Sequence, residues 1–243
     1  EVHYNLGLAL ASRGETDGAI EHLRMAAALR PTDPDAAYSL GMALRLDGRG
    51  EEAEQQFRRA LQLEPRSVSA YAQMGSVLAL RGEPGEASRQ FRQAIALEPR
   101  DADLRFKLGS ALVLAGRPKE AASELREAVR LKPDWAEALN ALAWLLATTP
   151  DETLRAPEEA LEFAREASKL TGDKDPEILD TVAAAQAAVG RFDEAAATAH
   201  RAADLASAAH AEGLARLIRD RARLFERRGV YIDLPSASSV RPL

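Results

Sequence analysis

Four histidines, His3, His22, His200 and His210, are the first residues to test for chemistry, because a neutral imidazole can ligate a metal or move a proton near neutral pH. Their separations do not match metal-ligand spacing, and His200 and His210 fall in different helical segments. The chain has no cysteine, which removes disulfides and thiolate metal sites. The patterns GxGxxG, GxxxxGK, HExxH and GxSxG are missing, and so is an EF-hand loop. Asp and Glu number 38, but they sit where exposed helix faces and first helical turns ordinarily place carboxylates. No two of them stand out as a general acid and base. The residues therefore predict no catalytic centre, no metal and no cofactor, and leave surface recognition as the chemistry to look for.

Composition narrows what such a surface can meet. Lys and Arg number 32 against those 38 acids, for a formal charge of -6, a poor balance for neutralising phosphates and hence for binding nucleic acid. No apolar run approaches the roughly 18 residues that a membrane-spanning helix needs, so direct membrane insertion is not expected. Hydrophobic residues make up 46% of the chain and aromatics 5%, so the apolar content is mainly alanine and leucine. That material suits close-packed helices and not sheets. Absence of cysteine leaves cytoplasm and periplasm equally open. The chain also starts at Glu1, inside a repeat and without a leader-like stretch, which raises the expectation of a longer parent protein.

The elements that must position any binding residue come from a strict period. Pro31, Pro65, Pro99 and Pro133 are each 34 residues apart, and Gly7, Gly41, Gly75, Gly109 and Gly14, Gly48, Gly82, Gly116 keep the same step. Ala19, Ala53, Ala87, Ala121 and Ala26, Ala60, Ala94, Ala128 do so as well. A period of this length with helix-turn-helix content defines a solenoid of helical hairpins. In "AYAQMGSVLALRG", Tyr71, Met74, Gly75 and Leu78 form one helical face, and Gly82 is placed to close the helix. In "GEASRQFRQAIALEP", Ala87, Phe91, Ala94 and Leu97 mark the buried face of the second helix. Gly75 and Ala87 are read as small because the two helices approach closely there. Asp33, Ser67 and Asp101 are the candidate N-caps.

Segments such as "YSLGMALRLDGRGEEAEQQFRRALQLEP" and "FKLGSALVLAGRPKEAASELREAVRLKP" resemble the tetratricopeptide repeat, whose small and large positions they carry in register. Four copies cover residues 1 to 133, and the first lacks its opening residue. The resemblance implies an all-α, right-handed superhelical α-solenoid of antiparallel helix pairs, of bacterial type. It also implies which residues of each first helix face the concave side: Tyr4 and Leu8; Tyr38, Met42 and Arg45; Ala72 and Ser76; Phe106, Ser110 and Val113; Asn140 and Trp144; and Asp180. Of these, Tyr4, Leu8, Tyr38, Met42, Arg45, Phe106, Asn140 and Trp144, with Lys107, are the candidate groove-binding residues. Packing against a neighbouring repeat is the competing role for each. Relatives that grip a chaperone's C-terminal carboxylate hold Lys and Asn where this chain has Tyr4, Tyr38, Ala72 and Phe106, and then Leu8, Met42, Ser76 and Ser110. The asparagine row of protein-glycosylating relatives is here Asn5, Ser39, Gln73, Lys107 and Ala141. Neither specialised activity is expected.

Beyond Pro133 the period is disturbed. "WAEALNALAWLLATTP" fits a fifth first helix, with Leu139, Leu142, Ala143 and Leu146 inward, but its partner starts late, near Pro157. The turn at about 149–157 has grown by five residues, a cheap change in a surface loop, and is either a solvated connection or a binding loop. "GDKDPEILDTVAAAQAAVGRFDEAAATAHRAADLA" makes a sixth pair, giving six helix pairs over residues 1–208. Residues 209–229 are expected to form a capping helix, with Leu214, Leu217, Ile218, Leu224 and Phe225 as its apolar stripe and Arg216, Arg219, Arg223 and Arg227 on the other side. Residues 230–243 remain as a loose or docked tail. The fifth and sixth units resemble the end module of bacterial tetratricopeptide proteins, some of which append such arrays to membrane-bound glycosyltransferases or to secretion and biogenesis factors.

The expected function is a noncatalytic scaffold that binds a peptide or helical segment of another protein in its concave groove. The alternative is a substrate-recruiting or regulatory domain of a larger bacterial enzyme or membrane assembly. Because the array opens inside a repeat, Tyr4, Leu6 and Leu10 lack a covering helix, and a further expectation is that this N-terminal face is met by a missing upstream repeat or by self-association.

Overall fold

The computed structural model describes residues 1–233, which form thirteen α-helices and no strand. The fold is an all-α solenoid of stacked antiparallel helix pairs. The chain divides into two compact units, Glu1–Ala115 and Gly116–Leu243. Unit 1 contains α1 (Val2–Ser12), α2 (Thr16–Leu29), α3 (Pro34–Leu46), α4 (Gly50–Leu63), α5 (Val68–Leu80), α6 (Pro84–Leu97) and α7 (Ala102–Leu114). Unit 2 contains α8 (Pro118–Leu131), α9 (Ala136–Thr148), α10 (Pro157–Leu170), α11 (Pro176–Ala188), α12 (Phe192–Ala208) and α13 (Glu212–Glu226).

Local chemistry sets the helix ends. Asp33 and Asp101 each accept two backbone N–H bonds at the start of α3 and α7, and Ser67 accepts one at α5, which satisfies donors that the first helical turn leaves unpaired. Asp175 does the same for α11. Proline occupies the first turn of α3, α6, α8, α10 and α11, where its missing N–H costs nothing. Gly14, Gly48, Gly82 and Gly116 follow first helices at φ between +68° and +76°, a backbone state that glycine adopts without a Cβ penalty.

In unit 1 the pairs α1–α2, α3–α4 and α5–α6 pack as hairpins, each second helix also meets the next first helix, and α1, α3, α5 and α7 touch in succession. A knob fills a notch in each hairpin. A Cβ built on Gly41 would lie 2.8 Å from the Phe57 ring, one on Gly75 2.8 Å from the Phe91 ring, and one on Gly7 2.7 Å from Leu23. The sequence pairing of Gly75 with Ala87 is thereby corrected. Ala87 is fully buried, but the atom that demands glycine at 75 belongs to Phe91, because an aromatic ring reaches across the hairpin where a methyl stops short.

Unit 2 repeats this order of contacts from α8 to α13. Its distinctive connection, residues 149–156, is anchored to neighbouring backbone and side chains. The Ala156 amide donates to the Leu146 carbonyl at 3.1 Å, Arg155 Nε donates to the Thr149 carbonyl at 3.1 Å, and Thr149 is 2% exposed. Asp151 accepts from Thr153 Oγ1 at 2.6 Å and pairs with Lys119 at 3.2 Å. The Thr153 bond foremost, with help from Lys119, holds the Asp151 carboxyl below its ordinary range. The apolar stripe of α13 differs from expectation at Leu217, which is 56% exposed, while Ala215, Ile218, Ala222 and Phe225 are fully buried. Arg221 is buried among them, three residues after Ile218 and four before Phe225, which places it on the same helical face.

Candidate functional site

The inner helices of unit 1 carry most of the expected binding residues. Tyr4 of α1 lies with its hydroxyl 3.2 Å from Ser39 Oγ of α3, and the Arg30 guanidinium stands 5.3 Å over its ring. Tyr38 is half-buried against Ala37, Ala60, Ala70 and Leu61, with its ring 5.8 Å from that of Phe57. Burial pushes the Tyr38 phenol above its ordinary pKa, while the nearby Arg45 charge and a hydrogen bond with Ser69 pull it back in part. These two tyrosines are therefore seated on a neighbouring repeat along one side. Leu8 is 41% exposed, and Met42 and Phe106 are half-buried. Lys107 pairs with Asp103 one turn earlier at 2.5 Å, so its ammonium already has a carboxylate. Arg45 differs from Lys107, since its Nε is buried and finds no hydrogen-bond partner among the described residues. A buried N–H of that kind costs free energy until an acceptor reaches it.

Unit 2 has a different inner face. The Trp144 indole N–H donates to Asp233 Oδ2 at 2.9 Å, and the Tyr231 ring lies 5.6 Å away at 45°. The Asp233 amide donates to the Thr148 carbonyl at 2.8 Å, so the chain after α13 folds back onto the end of α9. The Arg221 guanidinium stands 5.5 Å from the Trp144 ring and 5.3 Å from the Tyr231 ring. It also makes a two-pronged pair with Asp180 of α11, Nε to Oδ1 at 2.9 Å, with the carboxylate fully buried. Trp144 thus has an occupant against it, where the sequence had placed an open groove anchor. Asn140, one turn earlier on α9, has a buried Oδ1 with no partner among the described residues. Of the expected tail, residues 230–233 are docked in this way, and 234–243 lie outside the described residues.

Histidine geometry is also now visible. His3 and His22 meet across α1 and α2, with Nδ1 atoms 2.9 Å apart and stacked rings. No group of three or more His, Asp or Glu able to hold a metal occurs among the described residues. No helix among those residues is long and apolar enough to cross a membrane.

A family model for the tetratricopeptide repeat matches residues 4–68 and 73–134, together more than half of the chain. The chain is a tetratricopeptide repeat protein. Its fold is shared with solved tetratricopeptide structures. "MamA 41-end from Desulfovibrio magneticus RS-1" is 22% identical, with a TM-score of 0.65 over 72% of this chain and 96% of that one. YrrB, described as "a TPR protein with an unusual peptide-binding site", is 24% identical, with a TM-score of 0.60 over 70% of this chain and 86% of that one. No curated protein matches. Tetratricopeptide solenoids are typically noncatalytic scaffolds for protein–protein interaction, and this chain is one of them.

The tetratricopeptide register located Asp180 but not its partner. Arg221 was passed over because Arg216, Arg219, Arg223 and Arg227 surround it and read as one solvated face. Its place in the period of Ala215, Ile218 and Phe225 was the available signal.

Proposed function

We propose that the protein holds an extended or helical segment of a partner protein against the inner helices of unit 1. The observation that carries this reading is the Arg45 guanidinium, whose Nε is buried yet unmatched, beside the half-buried ring of Tyr38, with Leu8 exposed on α1. Apolar and aromatic anchors beside an unsatisfied cation suit a segment with hydrophobic side chains and one acidic group. Tyr4, Met42 and Phe106 extend the apolar row, and Lys107 serves the acidic group only by giving up Asp103. The peptide-binding site named for YrrB gives a precedent for a segment as ligand on this fold.

The test is a selection from a random peptide library displayed against the intact chain. Acidic sequences with apolar anchors should emerge, and Leu8→Asp and Arg45→Ala should each weaken them at least tenfold, the scale of a loss of about 1.4 kcal/mol. Selected peptides indifferent to both substitutions would move the binding surface elsewhere. The exposed residues Val2 and Leu6 of α1 and Leu29 of α2 support self-association as a second use of unit 1. Sedimentation of the unaltered chain and of Leu6→Lys should then differ in mass at high concentration, and identical monomers would end that reading.

A further inference from the structure

We infer that the inner face of unit 2 is a recognition site for an extended segment bearing an aromatic residue two positions before a carboxylate, and that Val230–Asp233 occupy it as a built-in competitor. This site uses other residues than the unit 1 face, and its test stands whether or not that face binds anything. The receiving groups are all on the helices: the indole N–H of Trp144, the Thr148 carbonyl at the open end of α9, and the Arg221 guanidinium. Asp180 fixes that guanidinium through two parallel bonds, so it is oriented before anything docks on it. The groups received are a ring, a backbone N–H and a carboxylate. Tyr231 and Asp233 supply them, and any chain with the same spacing can do so.

Two further observations distinguish a displaceable strap from a fixed part of the core. The helix before the strap closes on itself: the Arg228 amide donates to the Phe225 carbonyl at 2.8 Å and the Gly229 amide to the Leu224 carbonyl at 2.9 Å, with Arg228 at φ 56°, so α13 keeps its own cap if residues 230–233 lift away. The strap also leaves an acceptor unmet, since Asn140 Oδ1, one turn earlier on α9, is buried without a partner among the described residues. A ligand running further along α9 can bring a donor to it, and the four-residue strap does not.

Because the strap is tethered, its effective concentration is on the order of millimolar, and a free segment of equal intrinsic affinity competes poorly with it. The experiment therefore compares the chain of residues 1–243 with a variant of it carrying Tyr231→Ala and Asp233→Ala, both in a Trp135→Phe background so that emission reports Trp144 alone. The probe is a fluorescein-labelled peptide, Gly-Val-Tyr-Ile-Asp, with the sequence of residues 229–233. It should bind the double variant at least tenfold more tightly than the unaltered chain and shift Trp144 emission. The Asp233→Asn form of the peptide should lose most of that binding. Trp144→Phe, which keeps an aromatic ring but removes the N–H, should weaken the peptide in the double-variant background with its circular dichroism unchanged. Equal affinity for both chains, no binding to a folded double variant, or indifference to Trp144→Phe would each overturn the proposal.

Discussion

Units 1 and 2 are made from the same helical hairpin, yet their inner faces are in different conditions. In unit 1, Leu8 is exposed and the Arg45 Nε is buried without an acceptor, while in unit 2 Trp144 is held by Tyr231 and Asp233 of the chain itself. The difference originates in α13. It leaves the repeat pattern, contributes Arg221 to the interior and turns the following residues back onto α9. A repeat thus fixes where inward side chains stand, and a departure from the repeat decides whether they are covered.

The comparison breaks most sharply at the Asp180–Arg221 pair. Removing one member of a buried ion pair strands the other charge, so Asp180→Ala should destabilise unit 2 by about 3–5 kcal/mol. Both tryptophans, Trp135 and Trp144, lie in unit 2, so their emission follows that unit. The emission transition in denaturant should move well below that followed by circular dichroism. Coincident, unshifted transitions would mean that the pair contributes nothing net. Gly75→Leu is the converse experiment in unit 1. Driving a side chain into the Phe91 ring should cost about 1–3 kcal/mol, the usual range for overpacking, and should appear in circular dichroism while the tryptophan midpoint stays in place. Loss of the tryptophan signal first would show that strain passes into unit 2.

Smaller effects sharpen the comparison. Nothing lies within 4 Å of a Cβ on Gly82, so Gly82→Ala should lose only the left-handed backbone term, about 1–2 kcal/mol. A melting temperature equal to that of Gly75→Leu would contradict the separation of backbone cost from packing cost. Acid should loosen the 149–156 connection of unit 2. The Asp151 carboxyl is depressed, so its contribution is complete above the unfolded value and is lost as pH falls through the folded one. The protection factor of the Ala156 amide should fall as the Asp151 carboxyl protonates. A constant factor through that titration would show that the backbone bonds hold the connection without it.

Much of this was legible beforehand. The register of Gly41, Gly75 and Gly82, the caps Asp33, Ser67 and Asp101, and the inward set Leu139, Leu142, Ala143 and Leu146 follow from a period of 34, because a solenoid asks each position the same question in each repeat. Features that occur once were not legible. Gly75 gave no hint of which neighbour required it, since Ala87 and Phe91 both lie on the facing stripe. The Trp144 contacts depend on Tyr231 and Asp233, which are far away in sequence and in no repeat. Arg221 was hidden by its own composition, one arginine in a run of them.

The notches in unit 1 have a consequence for length. Gly7 with Leu23, Gly41 with Phe57, and Gly75 with Phe91 are each a closed transaction within one hairpin, sixteen residues from notch to knob. Copying a 34-residue block between Pro31 and Pro65 would insert another hairpin whose fit is already contained in the copied block. The number of hairpins is then a dimension that can be changed by whole steps, like links in a chain, and the reach of the inner surface would change with it.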